Sequence, residues 1–171
     1  GAADALTGKS KWKYPDNVGA KHEGMITSPS VDSSGNVYFI AEIEYEIQGG
    51  WKRENKFFKF GLYGEKIWEV QTEYAEWSWP AIDSNGLIYE LISHKKGGGG
   101  LVAYNMTNGT RQWGIDKLEG EASSPVIDSK GYIYIGSWGG IVLKADKATG
   151  KIIWEKNIDA NIASSPVIGI D

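Results

Sequence analysis

The chain has 171 residues, with 18 Lys and Arg against 22 Asp and Glu, a formal charge of −4, and no cysteine. That length is enough for one domain with a sizeable core. The mixed, mildly acidic charge speaks against a nucleic-acid footprint, the lack of Cys removes disulfides, thiol chemistry and Cys-based zinc sites, and no apolar run reaches the ~18 residues of a spanning helix.

Read in chain order, two signatures alternate. The first is ADALTGKSKW (residues 3–12), followed by SPSVDSSGNVYF from Ser28. FGLYGEKIW (60–68) and then WPAIDSNGLIYE from Trp79 repeat the pair, as do YNMTNGTRQW (104–113) and SPVIDSKGYIYI from Ser124. ADKATGKIIW (145–154) and a last SPVI at Ser165 complete the series. A glycine stands four residues before a tryptophan each time: Gly8 and Trp12, Gly64 and Trp68, Gly109 and Trp113, Gly150 and Trp154. The tryptophans are spaced by 56, 45 and 41 residues.

Each repeat splits into four short runs rich in Tyr, Ile, Val and Trp, separated by turn residues. In the last full repeat these are SSPVID, YIYIGS, GIVLKAD and KIIWEKNI. No stretch shows helical periodicity with caps. Four antiparallel strands every ~40–45 residues predict β-propeller blades. The expected full blades are 26–72, 77–117 and 122–158. Residues 9–17 read as the last strand of a preceding blade and 163–170 as the first strand of a following one. The Asp32–Gly35, Asp83–Gly86 and Asp128–Gly131 segments read as turns, the Asp accepting from the backbone two residues on and the Gly free to take φ > 0.

The alternation A-D-x-x-T-G-K-x-x-W with S-P-V-I-D-x-x-G-x-I-Y resembles the tryptophan-docking repeat of the PQQ-like, or quinoprotein, β-propellers. The match is clearest at 124–134 and 145–154 and degraded at 60–68, where Phe60-Gly61 replaces Ala-Asp and Tyr63 replaces Thr. The resemblance implies an all-β propeller in which Trp12, Trp68, Trp113 and Trp154 pack between neighbouring blades. It leaves activity open. The family holds quinone-dependent alcohol and sugar dehydrogenases as well as non-catalytic members, among them a lipoprotein of the outer-membrane assembly machinery. It also implies an exported, periplasmic or cell-surface location.

Three blades with a strand at either end fall short of the ~four to eight that close a ring. The chain, which begins Gly1-Ala2 without Met, is therefore expected to be part of a larger ring, completed by further blades of the same polypeptide or by a second copy. The loops between second and third strands share a face with the inter-blade loops. That face is expected to carry His22, Glu46, Trp51, Arg53, Trp77, His94, Trp138 and Asn161 as candidate binding residues. Trp138 in Ser-Trp-Gly-Gly reads either as a stacking surface for a sugar, quinone or partner side chain or as a ring packed on the adjacent blade. Trp79, before Pro80 in a first strand, reads as core. The long insertion between Tyr38 and Phe57 reads as a charged hairpin. A Gly49-Gly50 turn there would set Glu46 opposite Arg53. It is either a finger for a protein partner or a solvated ribbon.

No catalytic residue is assigned. Thr7-Gly8-Lys9-Ser10 lacks the first glycine of a phosphate loop, and Gly97–Gly100 precedes no helix. The Asp-Ser-x-Gly turns lack the bidentate Glu of a calcium loop, with Ile43, His94 and Gly139 at that place. A zinc site built from His22 and His94 with Glu23 or Glu73 would require their loops to converge. No cofactor is expected. Quinone and calcium enter only under the dehydrogenase alternative, whose converging base, metal and stacking platform cannot be assigned to residues here, and the vicinal disulfide that grips the quinone in many relatives cannot form.

Overall fold

The structure is a computed structural model that describes residues 2–13, 22–75, 79–93, 98–118 and 123–169. Among these residues every regular element is a β-strand. The short hairpin β1 (Ala2–Ala3) and β2 (Ser10–Trp12) comes first. The first sheet contains β3 (His22–Ile26), β4 (Ser30–Val31), β5 (Val37–Ile47), β6 (Gly50–Phe60) and β7 (Lys66–Thr72). The second contains β8 (Tyr74–Ala75), β9 (Ala81–Ile82), β10 (Leu87–Ser93), β11 (Gly99–Asn105) and β12 (Arg111–Leu118). The third contains β13 (Val126–Ile127), β14 (Tyr132–Gly136), β15 (Ile141–Asp146) and β16 (Ile152–Asn157). All pairings are antiparallel, and apart from the split leading strands of the first two sheets they join sequence neighbours, so each sheet is a meander.

The leading strand of the first two sheets is broken in two. Both β3 and β4 pair with β5, and both β8 and β9 pair with β10. Pro29 and Pro80 fall in the breaks, where a missing N–H interrupts the ladder. Thr27 bridges the first break, its N–H donating to Ile40 O at 3.0 Å and its Oγ1 accepting from Ile40 N at 3.0 Å. Ser123 does the same against Gly136 in the third sheet. Two expectations about the ends are corrected. The N-terminal piece is a two-stranded hairpin, because the Asp4–Gly8 turn folds Ala2 back onto Trp12. Residues 163–169 form no strand, since no strand among the described residues pairs with them.

Alternation places the two faces of each sheet in different seams. Tyr38, Ile40, Phe57 and Trp68 meet Ile88, Ile92, Val102 and Tyr104 between the first and second sheets. Tyr89, Leu91, Leu101 and Ile115 meet Ile133, Ile135, Leu143 and Ala145 between the second and third. Phe39, Ile43, Phe58 and Phe60 form a third cluster, on which Trp12 packs. The core is thus a series of layers between stacked sheets, and both faces of the middle sheet are buried.

Candidate binding face and the blade seams

The turns that carry the repeat are held by their own side chains. Asp146 Oδ1 accepts from Ala148 N, Thr149 N and Thr149 Oγ1 at 3.1, 2.8 and 2.8 Å. The bond from the Thr149 hydroxyl, then that from Thr149 N, holds its carboxyl below the ordinary aspartate range against the opposing effect of burial. The turn ends at Gly150, with φ +72. A methyl group there would lie 2.6 Å from Trp113 Cε3. Likewise one at Gly64 would lie 2.5 Å from Trp12 Cγ, and one at Gly109 would lie 3.0 Å from Trp68 Cδ2. Each of these tryptophans therefore covers the glycine of the following repeat. The absence of a side chain lets the indole lie on the backbone, which a Cβ would push away.

The indole nitrogen finds the same turn. Trp12 Nε1 donates to Leu62 O at 3.4 Å and Trp68 Nε1 to Met106 O at 3.1 Å. Lys59 Nζ also donates to Met106 O, at 2.9 Å, while lying over the Tyr38 ring. In the next seam the corresponding carbonyl, Lys147 O, instead accepts from Tyr89 Oη at 2.9 Å, and Trp113 Nε1 is buried without a hydrogen bond.

The Asp-Ser-x-Gly turns do more than the sequence suggested. Asp32 Oδ1 accepts from Ser34 N and Asn36 N, both at 2.9 Å, and Oδ2 accepts from Tyr38 Oη at 3.0 Å. Asp128 repeats this with Lys130 N, Tyr132 N and Tyr134 Oη. Burial pushes the Asp32 carboxyl up, but bonds from Asn36, Tyr38 and Ser34 outweigh it and hold it below the ordinary range. Burial, then the bond to Asp32, pushes the Tyr38 phenol well above its ordinary value. A tyrosine six residues after each turn aspartate was a legible signal that reading the turns as backbone devices passed over. Glu90 was also missed. It is 0% exposed on the same side of β10 as Ile88 and Ile92.

On the loop face, β5 and β6 run on past their neighbours as a finger. Its register differs from expectation. Glu46 stands opposite Trp51, Glu44 opposite Arg53 and Ile47 opposite Gly50, so Gln48 and Gly49 form the tip. Gly49 supplies the positive φ of +92. The slip of two residues keeps every side chain on its expected side, which is why the alternation could not exclude it. Arg53 Nε reaches Glu44 Oε1 at 2.9 Å, with Glu42 Oε1 at 3.7 Å from Nη1. Trp51 is 45% exposed.

Trp138 and Asn161 are brought together. With the Asn161 amide oriented to satisfy both ends, its nitrogen donates to Trp138 O at 2.8 Å and its oxygen accepts from Trp138 Nε1 at 3.0 Å. The ring nevertheless remains 50% exposed. Trp79 corrects the core expectation. It is 55% exposed because it lies in the break between β8 and β9, where its backbone N–H is taken by Ser124 Oγ at 3.0 Å. The backbone of His22 lies in β3, whereas Trp77 and His94 fall outside the described residues, and with them the proposed zinc grouping. A polar cleft of about 540 Å³ opens on the opposite face, between the Asp32–Asn36 and Asp83–Gly86 turns, with Lys59 and Met106 at its edge.

The family model described as outer membrane protein assembly factor BamB matches residues 97–169. The structure of BamB from Moraxella catarrhalis superposes with a TM-score of 0.61 over 83% of this chain and 37% of that one, at 18% identity. The chain has a β-propeller fold, and its residues 97–169 are similar to the PQQ-like repeats of that family model. A quinohemoprotein alcohol dehydrogenase from Comamonas testosteroni shares the fold at TM-score 0.54 and 11% identity, over 75% of this chain and 32% of that one. A lanthanide-dependent methanol dehydrogenase of Methylacidiphilum fumariolicum (strain SolV) is 27% identical over 89 residues. That stretch is 52% of this chain and 15% of the dehydrogenase's length. Among the described residues no helix is long and apolar enough to cross a membrane.

Proposed function

We propose that this chain is a non-catalytic PQQ-like propeller module that binds a protein partner through its loop face. The observation that carries the reading is Trp138, whose ring is half exposed while Asn161 holds both its carbonyl and its indole nitrogen. A fixed, exposed aromatic contributes contact area with little loss of side-chain entropy on binding, which suits it to anchor a partner. The finger tip adds Trp51 and Ile47, 45% and 49% exposed. Likeness to an outer-membrane assembly factor supports a scaffold role and an exported, periplasmic or cell-surface location.

The alternative is a fragment of a quinone-dependent dehydrogenase, favoured by the stretch shared with the methanol dehydrogenase. Two measurements separate the readings. Titration with pyrroloquinoline quinone and calcium should give no saturable binding. Cross-linking to envelope proteins of the source cell should yield a discrete adduct that Trp138→Ala and Trp51→Ala weaken and that a surface variant on the cleft side, Ser84→Ala, leaves intact. Saturable quinone binding with reduction of a dye by an alcohol would reverse the assignment.

A further inference from the structure

The same turn is completed differently in the two seams between sheets. Between the second and third sheets, Lys147 places its ammonium on Asp83 at 2.7 Å. Between the first and second, the residue at the place of Lys147 is Met106, which follows Asn105 as Lys147 follows Asp146. A thioether brings no charge to the facing carboxylate. That carboxylate, Asp32, is held by neutral donors instead. Its Oδ1 accepts from Ser34 N and Asn36 N, and its Oδ2 from Asn36 Nδ2 at 2.8 Å and Tyr38 Oη at 3.0 Å. Among the described residues no lysine or arginine pairs with it. Asn36 stands where the second turn has Leu87 and the third Tyr132, and its amide N–H is the neutral substitute for the lysine. Lys59 does not fill that role, because its Nζ is engaged by Met106 O at 2.9 Å above the Tyr38 ring.

The cleft of about 540 Å³ opens at this place, with Asp32, Asn36 and Met106 in its lining. Ser33, Ser34, Ser84 and Thr107 line it as well, and all four are exposed. Both walls belong to this chain, the Asp32 turn to the first sheet and the Asp83 turn to the second. The cleft therefore does not depend on what flanks the outer sheets. It also lies on the face opposite Trp138, apart from the loop face.

We propose that this cleft binds a small hydroxylated primary amine, of the chemical class of the amino sugars. The ammonium takes the place of the Asn36 amide on Asp32, as Lys147 takes the equivalent carboxylate in the next seam. The exchange replaces a neutral hydrogen bond by a charge-assisted one, which is roughly twice as strong. The ligand's hydroxyls bond the serine and threonine hydroxyls along the cleft, each of which can both donate and accept.

Titration of the isotope-labelled whole chain with glucosamine tests this, at a mildly acidic pH where the amine is charged and Asp32 ionised. Binding should saturate, with amide shifts confined to residues 33–36, 84–86 and 107. Glucose and N-acetylglucosamine keep hydroxyls but lose the charge, and should bind about tenfold or more weakly. n-Butylamine keeps the charge without hydroxyls and should also bind more weakly. Asp32→Asn retains an oxygen for the N–H groups of its turn, so the dichroism spectrum should persist while glucosamine affinity falls about tenfold or more. Met106→Lys supplies an ammonium from the chain itself and should exclude the ligand, with the melting temperature kept or raised. No saturable shift at millimolar glucosamine, glucose binding as tightly as glucosamine, or full affinity in both variants overturns the proposal. n-Butylamine binding as tightly as glucosamine overturns the part given to the hydroxyls.

Discussion

Asp83 and Lys147 meet at 2.7 Å across the seam between the second and third sheets, with side chains 4% and 15% exposed. Asp83 belongs to the same turn position as Asp32 and Asp128, which bind the tyrosine of their own sheet. Here the tyrosine, Tyr89, turns to Lys147 O and the lysine takes the carboxylate. One residue of the third repeat therefore satisfies two polar groups of the second. Removing it would leave a carboxylate buried without its counter-charge, the costly half of a buried ion pair. Lys147→Met should destabilise the chain by about 3–5 kcal/mol. The double variant with Asp83→Leu should recover much of that loss. Urea unfolding of the two variants decides it, and equal losses would show that the pair acts only through packing.

The tryptophan–glycine stacking should be felt from both sides. Trp68 is buried, packs on Phe57 and Tyr38, and bonds Met106 O. Trp68→Ala should cost about 3–5 kcal/mol. The half-buried Trp113 should cost less. Gly150→Val adds a branched side chain where φ is +72 and Trp113 stands 2.6 Å from the new Cβ. Strain at φ > 0 alone is worth about 1–3 kcal/mol. Thermal melts that leave Gly150→Val unchanged would contradict the seam.

Asp32 and Asp128 titrate below the ordinary range in the folded chain. A depressed folded pKa contributes stability that is present above the unfolded value, about 3.9, and is lost as pH falls through the folded value. Stability should therefore drop below about pH 4, and Asp32→Asn should flatten that drop. At the alkaline end the raised Tyr38 and Tyr89 phenols contribute stability that is whole below about pH 10 and fades as pH climbs towards their folded values. Urea midpoints measured along the pH scale check both limbs.

The finger should be the part of the first sheet that opens most readily. Beyond the pairings His22–Glu44 and Asn55–Thr72, its strands bond only to each other. A two-stranded ribbon is marginal alone, and the exposed Glu44–Arg53 pair adds at most ~1 kcal/mol. Amides from Glu46 to Trp51 should exchange much faster than those of Phe57 and Phe58. Uniform protection along β5 and β6 would refute this.

Much of this architecture was legible in the residues. The alternating signatures give the number of sheets, because turn chemistry and strand patterning are local: Asp4, Asn105 and Asp146 each bond atoms within three residues. The same locality shows where reading stops. Nothing in Gly150's surroundings in sequence says that its indole comes from Trp113 and not from Trp154, since that contact forms only when two sheets stack. The finger's turn slipped by a residue because both registers put Phe57 and Phe58 on the same sides, and the packing of those rings, at opposite faces of the sheet, does not distinguish registers that differ by two. Asp83 exchanged its tyrosine for Lys147, and Trp79 became exposed, through neighbours 64 and 45 residues away. Local hydrogen bonds and side-chain alternation made the blades readable. The seams between them, where charge is buried and aromatic rings find their glycines, depended on long-range packing that no single repeat contains.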